Sequence, residues 1–216
     1  MKYGDLPKNL GEIDIKCNEM LFYQYLPVKL VGERRCVYEK RLNWAALLIK
    51  KTINDFIKDF GYDKYMESYV YITAKHMYQT PSCSFNRGGY HSDGFLTDDI
   101  NYVWYDSHPT IFNTSNFNLT LDDAVSMKEM EVQALKENEV TFNNKELLRL
   151  NQFNIHKVND NQHNDMRTFV KISFSKDKYD LIGNAHNYLL DYDWEMVERR
   201  VERNIPQAKI NLHKPE

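Results

Sequence analysis

From Tyr69 onward the hydrophobic period of the chain turns from helical to alternating, and that change bounds what it can fold into. Residues 68–79 (SYVYITAKHMYQ) are rich in Tyr, Val, Ile and Thr, which suit a pleated surface. Residues 100–105 repeat the pattern and are ended by His108-Pro109. In FVKISFS, Phe169, Lys171, Ser173 and Ser175 fall on one side, and Val170, Ile172 and Phe174 on the other. Residues 143–150 read as a turn followed by a strand. Residues 151–157 and 166–175 read as two strands joined by a polar loop over 158–165. An earlier strand-like stretch, 21–31, carries Pro27, which confines it to an edge or a bend.

Helical signals frame these strands. Asn43 is a plausible cap for a helix with Trp44, Leu47, Leu48, Ile53, Phe56, Ile57 and Phe60 at helical spacing and Gly61 at its end. Residues 121–137 predict a second helix capped by Thr120. Residues 193–204 predict a third, highly charged, with a thin stripe of Trp194, Val197 and Val201, ended by Pro206. This last helix is expected to pack on the strands or to pair with a second copy in a homodimer. The fold class expected is α+β, mainly β, as a single domain over 1–216. It divides into an N-terminal strand and packing helix (1–66), a β core with a helical insert (67–176), and a C-terminal helix and tail (177–216).

Composition excludes several function classes. With 216 residues the chain buries a core without needing staples. No run approaches 18 apolar residues, so no membrane span is expected, and the first residues show no apolar signal segment. Cys17, Cys36 and Cys83 are odd in number and lack C-x-x-C spacing, which fits a reducing, cytoplasmic setting. The 28 basic and 31 acidic residues leave a net charge of -3, so a nucleic-acid partner held by bulk charge is disfavoured. A local patch from Lys50, Lys51, Lys58, Lys75 and Arg87 stays open. No phosphate-binding glycine loop and no G-x-S-x-G is present.

The chemistry-bearing pattern is His91-Ser92-Asp93. Residues i and i+2 of a strand point to one face, so an imidazole and a carboxylate converge there as two thirds of a facial metal triad. His156 follows at the end of a strand-like segment and supplies a second imidazole. Arg167 opens the next strand, and a hairpin return would bring its guanidinium near His156, suited to a bidentate grip on a carboxylate.

The order His91-x-Asp93, His156, Arg167 resembles that of the Fe(II)/2-oxoglutarate-dependent oxygenases, over roughly residues 69–175, about half the chain. Asp93-Gly94 and the turn Asn86-Arg87-Gly88-Gly89 are similar to members of that family too. The resemblance implies a double-stranded β-helix (jelly-roll, cupin-like) core with flanking helices. It implies that His91, Asp93 and His156 ligate iron and that Arg167 binds the distal carboxylate of 2-oxoglutarate. Many members place Ser or Thr two residues after that arginine, where this chain has Phe169. Tyr102, Tyr71 or Lys75 could make the second cosubstrate contact, and Tyr102 is taken as the candidate. The reaction implied consumes O2 and hydroxylates a substrate, with a small molecule or a protein side chain favoured.

Two other readings share these residues: a metal-binding cupin enzyme independent of 2-oxoglutarate, and a catalytically silent module that binds a ligand or partner. Among the other histidines, His186 is a weaker candidate ligand because it follows Arg167. His76 reads as a strand residue, His108 as structural and His163 as solvated.

Overall fold

The structure, a computed structural model, describes residues 2–81, 88–159 and 163–199. Cys83, Asn86 and Arg87 lie outside the described residues, as do Val201, Pro206 and the second half of the expected terminal helix. The chain opens with strands β1 (Lys8–Glu12) and β2 (Leu21–Lys29), then helices α1 (Ala46–Phe60) and α2 (Tyr62–Met66). Strands β3 (Tyr69–Gln79), β4 (Ile100–Tyr105) and β5 (Ile111–Asn113) precede helix α3 (Asp123–Gln133). Strands β6 (Glu139–Thr141), β7 (Glu146–Leu150), β8 (His156–Lys157) and β9 (Asp165–Ser175) follow. The protein is thus mainly β with a helical minority.

Among the described residues two antiparallel sheets form. The larger has the order β1-β7-β4-β9-β3-β2, and the smaller β6-β5-β8. The pairing of β3 with β9 runs without a break from Tyr69 opposite Ser175 to Gln79 opposite Asp165. Pleating then sorts side chains by parity. Val70, Ile72 and Ala74 of β3, Tyr102 and Trp104 of β4, and Val170, Ile172 and Phe174 of β9 share one buried cluster with Leu48, Ile49 and Phe56 of α1. Phe56 stacks on Phe174 with ring centres 4.2 Å apart. The other parity, including Thr73, Lys75, Val103, Arg167, Phe169 and Lys171, lines a cavity of about 760 Å³ that the smaller sheet also lines through His156.

Several expectations are corrected. Asn43 does not cap α1: it sits inside a 3₁₀ turn (Lys40–Ala45), and Leu47 is exposed. The cap of α3 is Asp122, which accepts from the backbone N–H groups of Ala124 and Val125, while Thr120 instead donates its hydroxyl to Glu129. Within 151–157 only His156–Lys157 is strand. Asn154 Oδ1 and Asn151 Oδ1 accept from the backbone N–H groups of Asn151 and Phe153, and these local bonds compete with a ladder. The described residues 193–199 are not helical. The Val197 N–H donates to the carbonyl of Asp180, its carbonyl accepts from Ile182, and Trp194 packs edge-on to Tyr69. Strand β8 and strand β9 belong to different sheets, so they do not form the expected hairpin.

Candidate metal centre

His91 and His156 are joined by a reciprocal pair of backbone bonds, each N–H donating to the other's carbonyl at 2.9 Å. This isolated antiparallel bridge extends the smaller sheet past β8. The two imidazoles consequently lie side by side, ring centres 4.6 Å apart. Asp93 enters two residues after His91, at the start of a turn that Gly94 makes possible. Gly94 has φ +71°, and a Cβ there would meet Thr97 Oγ1 at 2.7 Å and Asp99 Cβ at 2.9 Å. Any larger residue would push the Asp93 turn out of register.

The three side chains converge. His91, Asp93 and His156 each offer one ligand atom within 4.8 Å of the others, and Asp93 Oδ2 lies 3.7 Å from His156 Nε2. Neighbouring ligands around an ion with ~2.1 Å bonds stand about 3 Å apart, so binding would draw the three inward. Both imidazoles are already oriented. His91 Nδ1 lies 3.0 Å from the Gly89 carbonyl and His156 Nδ1 2.9 Å from the Asn154 carbonyl. A carbonyl only accepts, so each Nδ1 carries the proton and each Nε2 carries the lone pair that a metal takes.

Electrostatics favour the ligand forms. Burial lowers the His156 pKa against the opposing pull of Asp93, which keeps the imidazole neutral. Burial alone would raise the Asp93 pKa, but the opposing pull, led by the Lys171 ammonium through its charge and its hydrogen bond, outweighs it and holds the carboxyl well below the usual range. Lys171 Nζ donates to Asp93 Oδ1 at 2.9 Å and to the Tyr25 hydroxyl at 3.0 Å. Tyr25 reaches the cavity because β2 slips register against β3 between Tyr23 and Leu26, with Tyr25 itself at φ 46°.

Arg167 lines the same cavity and is 2% exposed. Its Nε donates to the Ser107 carbonyl at 2.9 Å, and its guanidinium lies over the Phe169 ring at 5.2 Å. Its Nη1 is buried without a hydrogen-bond partner among the described residues. Burial lowers its pKa to about 10, against the charges of Asp106 and Tyr105, so it stays a cation near neutrality. Lys75, two strand positions from Thr73, adds a second buried cation to this wall, its pKa lowered to about 8 by burial and by Lys171 and Arg167.

Tyr102 stands elsewhere. Strand parity turns it toward α1, where its hydroxyl donates to Asp55 Oδ2 at 2.9 Å beside Arg149. It is outside the cavity lining, so it does not make the cosubstrate contact expected of it. Tyr71 is likewise occupied, donating to the Asp177 carbonyl and stacked on Tyr179. Of the three alternatives only Lys75 faces the cavity. His186 packs on Tyr188 and Tyr192, away from the triad, and His76 Nδ1 pairs with Thr168 Oγ1.

Lys171 and Tyr25 are site residues that sequence reading missed. Lys171 shares strand parity with Arg167, which is a legible signal. Tyr25 gives none, because the register slip in β2 is not encoded by any turn residue. Comparison with family models, with curated proteins and with solved structures finds no match for this chain.

Proposed function

We propose that the protein is an Fe(II)- and 2-oxoglutarate-dependent oxygenase whose core is a double-stranded β-helix. The observation that carries this reading is the buried Nη1 of Arg167, without a partner among the described residues, in the cavity that also holds His91, Asp93 and His156. An orphaned buried donor is costly, and a carboxylate arriving from the cavity satisfies it.

Strand order supports the fold. Along the chain, β3 lies in the large sheet, His91 bridges the small one, and β4 returns to the large. Strands β5 and β6 are in the small sheet, β7 in the large, β8 in the small and β9 in the large. That to-and-fro winding around one cavity is what a jelly-roll requires.

His91, Asp93 and His156 would hold the metal through two Nε2 atoms and one carboxylate oxygen, leaving adjacent positions open. When bound, iron(II) supplies a coupled oxidation in which 2-oxoglutarate and O2 give succinate and CO2 while one oxygen atom enters a substrate C–H bond. Arg167 would fix the far carboxylate of 2-oxoglutarate, with Lys75 as the second cation on the same wall. Phe169 and Val103 make that part of the cavity apolar and exclude water. The substrate, a small molecule or a protein side chain, would enter past Phe22, Tyr25 and Phe95.

The test is an anaerobic titration with Fe(II) and 2-oxoglutarate, following the weak visible charge-transfer band and iron affinity. His91→Ala and Asp93→Ala should each abolish both. Unchanged values in these variants would place the iron elsewhere and sink the reading. A second reading rests on the Lys171–Asp93 pair, which satisfies the carboxylate with no metal and suits a silent anion-binding module. In that case 2-oxoglutarate binds equally with and without iron.

A further inference from the structure

Outside the cavity lining, two imidazoles and a carboxylate meet a second time. His108, His163 and Asp165 each offer one ligand atom within 4.8 Å of the others, and the two rings stand 4.6 Å apart. His108 is only 5% exposed, yet its Nε2 is buried with no hydrogen-bond partner among the described residues. A buried imidazole nitrogen without a partner is a standing cost that coordination removes.

The backbone around this cluster is pinned. The Asp106 N–H donates to the Thr168 carbonyl, and the Thr168 N–H donates to Asp106 Oδ1 at 2.7 Å. Thr168 Oγ1 donates to Asp106 Oδ2, and Arg167 Nε to the Ser107 carbonyl. These four bonds stitch the turn after β4, which carries His108 at φ 50°, to the start of β9, which carries Asp165. Two of the three ligands are therefore set against each other by rigid elements, and His163 closes from the approach to β9. Asp106, Asp165 and Arg167 all act on the His108 imidazole, and these two carboxylates and one guanidinium leave a balance of one negative charge around it before any cation arrives.

We propose that His108, His163 and Asp165 form a second divalent-metal site, of the zinc type. Two neutral imidazoles with one carboxylate are a nitrogen-rich set that suits Zn(II) and disfavours Mg(II) or Ca(II). Three protein ligands leave the fourth tetrahedral position to solvent, on the side of the exposed His163. The site stands independently of the oxygenase reading, since it shares no ligand with the first centre.

The experiment measures zinc retained by the full, tag-free chain after equilibrium dialysis. Wild type should hold about two zinc ions, because the first triad also accepts Zn(II). The double variant His91→Ala/Asp93→Ala should retain about one. Adding His163→Ala, an exposed position, or Asp165→Asn to that background should remove it, with the far-ultraviolet circular dichroism unchanged. Zinc absent from the double variant, or persisting after His163→Ala, overturns the proposal. Zinc lost from the wild-type background with His163→Ala but untouched by the double variant would instead sink the first centre and leave this one standing.

Discussion

Lys171 sets its ammonium 2.9 Å from the carboxylate of Asp93, so the acid of the triad already has a cationic partner. Both groups are largely buried, and removing one partner of such a pair costs about 3–5 kcal/mol, because the other charge is left uncompensated. Lys171→Met should therefore destabilise the metal-free protein by that order. A divalent cation meets no competing ammonium in the variant. Thermal unfolding with and without Mn(II) checks this: the metal should stabilise Lys171→Met more than wild type, and equal stabilisation would rule out competition.

On the proposed reading, Arg167 grips the far carboxylate of 2-oxoglutarate. Arg167→Ala should weaken 2-oxoglutarate binding by about 100-fold, the scale set by truncating one side of a buried charge pair. Arg167→Lys should recover only part, since an ammonium lacks the fork. Iron affinity should stay within error of wild type in both. Titration of 2-oxoglutarate at saturating Fe(II) reads the effect, and an unchanged affinity would remove Arg167 from the site.

Tyr102 belongs to the helix side of the sheet. Tyr102→Phe removes its bond to Asp55 but leaves the Asp55–Arg149 pair at 2.8 Å. The expected loss is about 1–2 kcal/mol of stability, with 2-oxoglutarate affinity unchanged. A fall in affinity beyond about threefold in a titration would return Tyr102 to the cavity.

Lys29 gives a pH signature. Its Nζ is fully buried, donating to the Ser68 carbonyl at 2.7 Å and to that of Leu30, and burial lowers its pKa to about 8. The unfolded value is about 10.4, so between the two the unfolded chain holds a proton that the folded one has shed. Stability therefore rises with pH across that window, by up to about 1.4 kcal/mol per unit, and the gain is lost as pH falls through 8. Thiols and phenols that titrate nearby pull the other way, but they are shared with Lys29→Met. Denaturant unfolding of both proteins from pH 8 to 10 should show wild type gaining on the variant; a constant difference would mean the lysine titrates normally.

The sequence makes the triad legible because its signals are local. His91 and Asp93 share a face by spacing alone, and β9 declares its two faces through Val170, Ile172 and Phe174 against Phe169 and Lys171. Helix α1 is legible from its apolar periodicity, although Leu47 is a false member of the buried face. What depends on how sheets meet is not legible. Tyr102 looks as aromatic and strand-borne as a cavity residue, and only the packing of α1 on that parity decides against it. Arg167 reaches the cavity from the opposite sheet to His156 rather than by a hairpin, so the right neighbourhood follows from the wrong connection. Tyr25 arrives through a register slip, and the tail at 193–199 trades helical bonds for bonds to 180 and 182, a choice between near-equal local options.

The reciprocal bonds between His91 and His156 pin the neck of a long excursion that contains β4 to β7 and α3. The spacing of the two nitrogens is set at that neck and does not depend on the girth of what hangs from it. Within that excursion, Glu131 accepts from the Tyr90 N–H, and Phe117 and Met130 pack with Tyr90 and Ile155, so these positions brace the neck. Exposed ones such as Leu121, Val125 and Val132 can change while the imidazoles keep their mutual pose. The chemistry and the surface that decides what reaches it can thus be altered separately, by natural drift or by design.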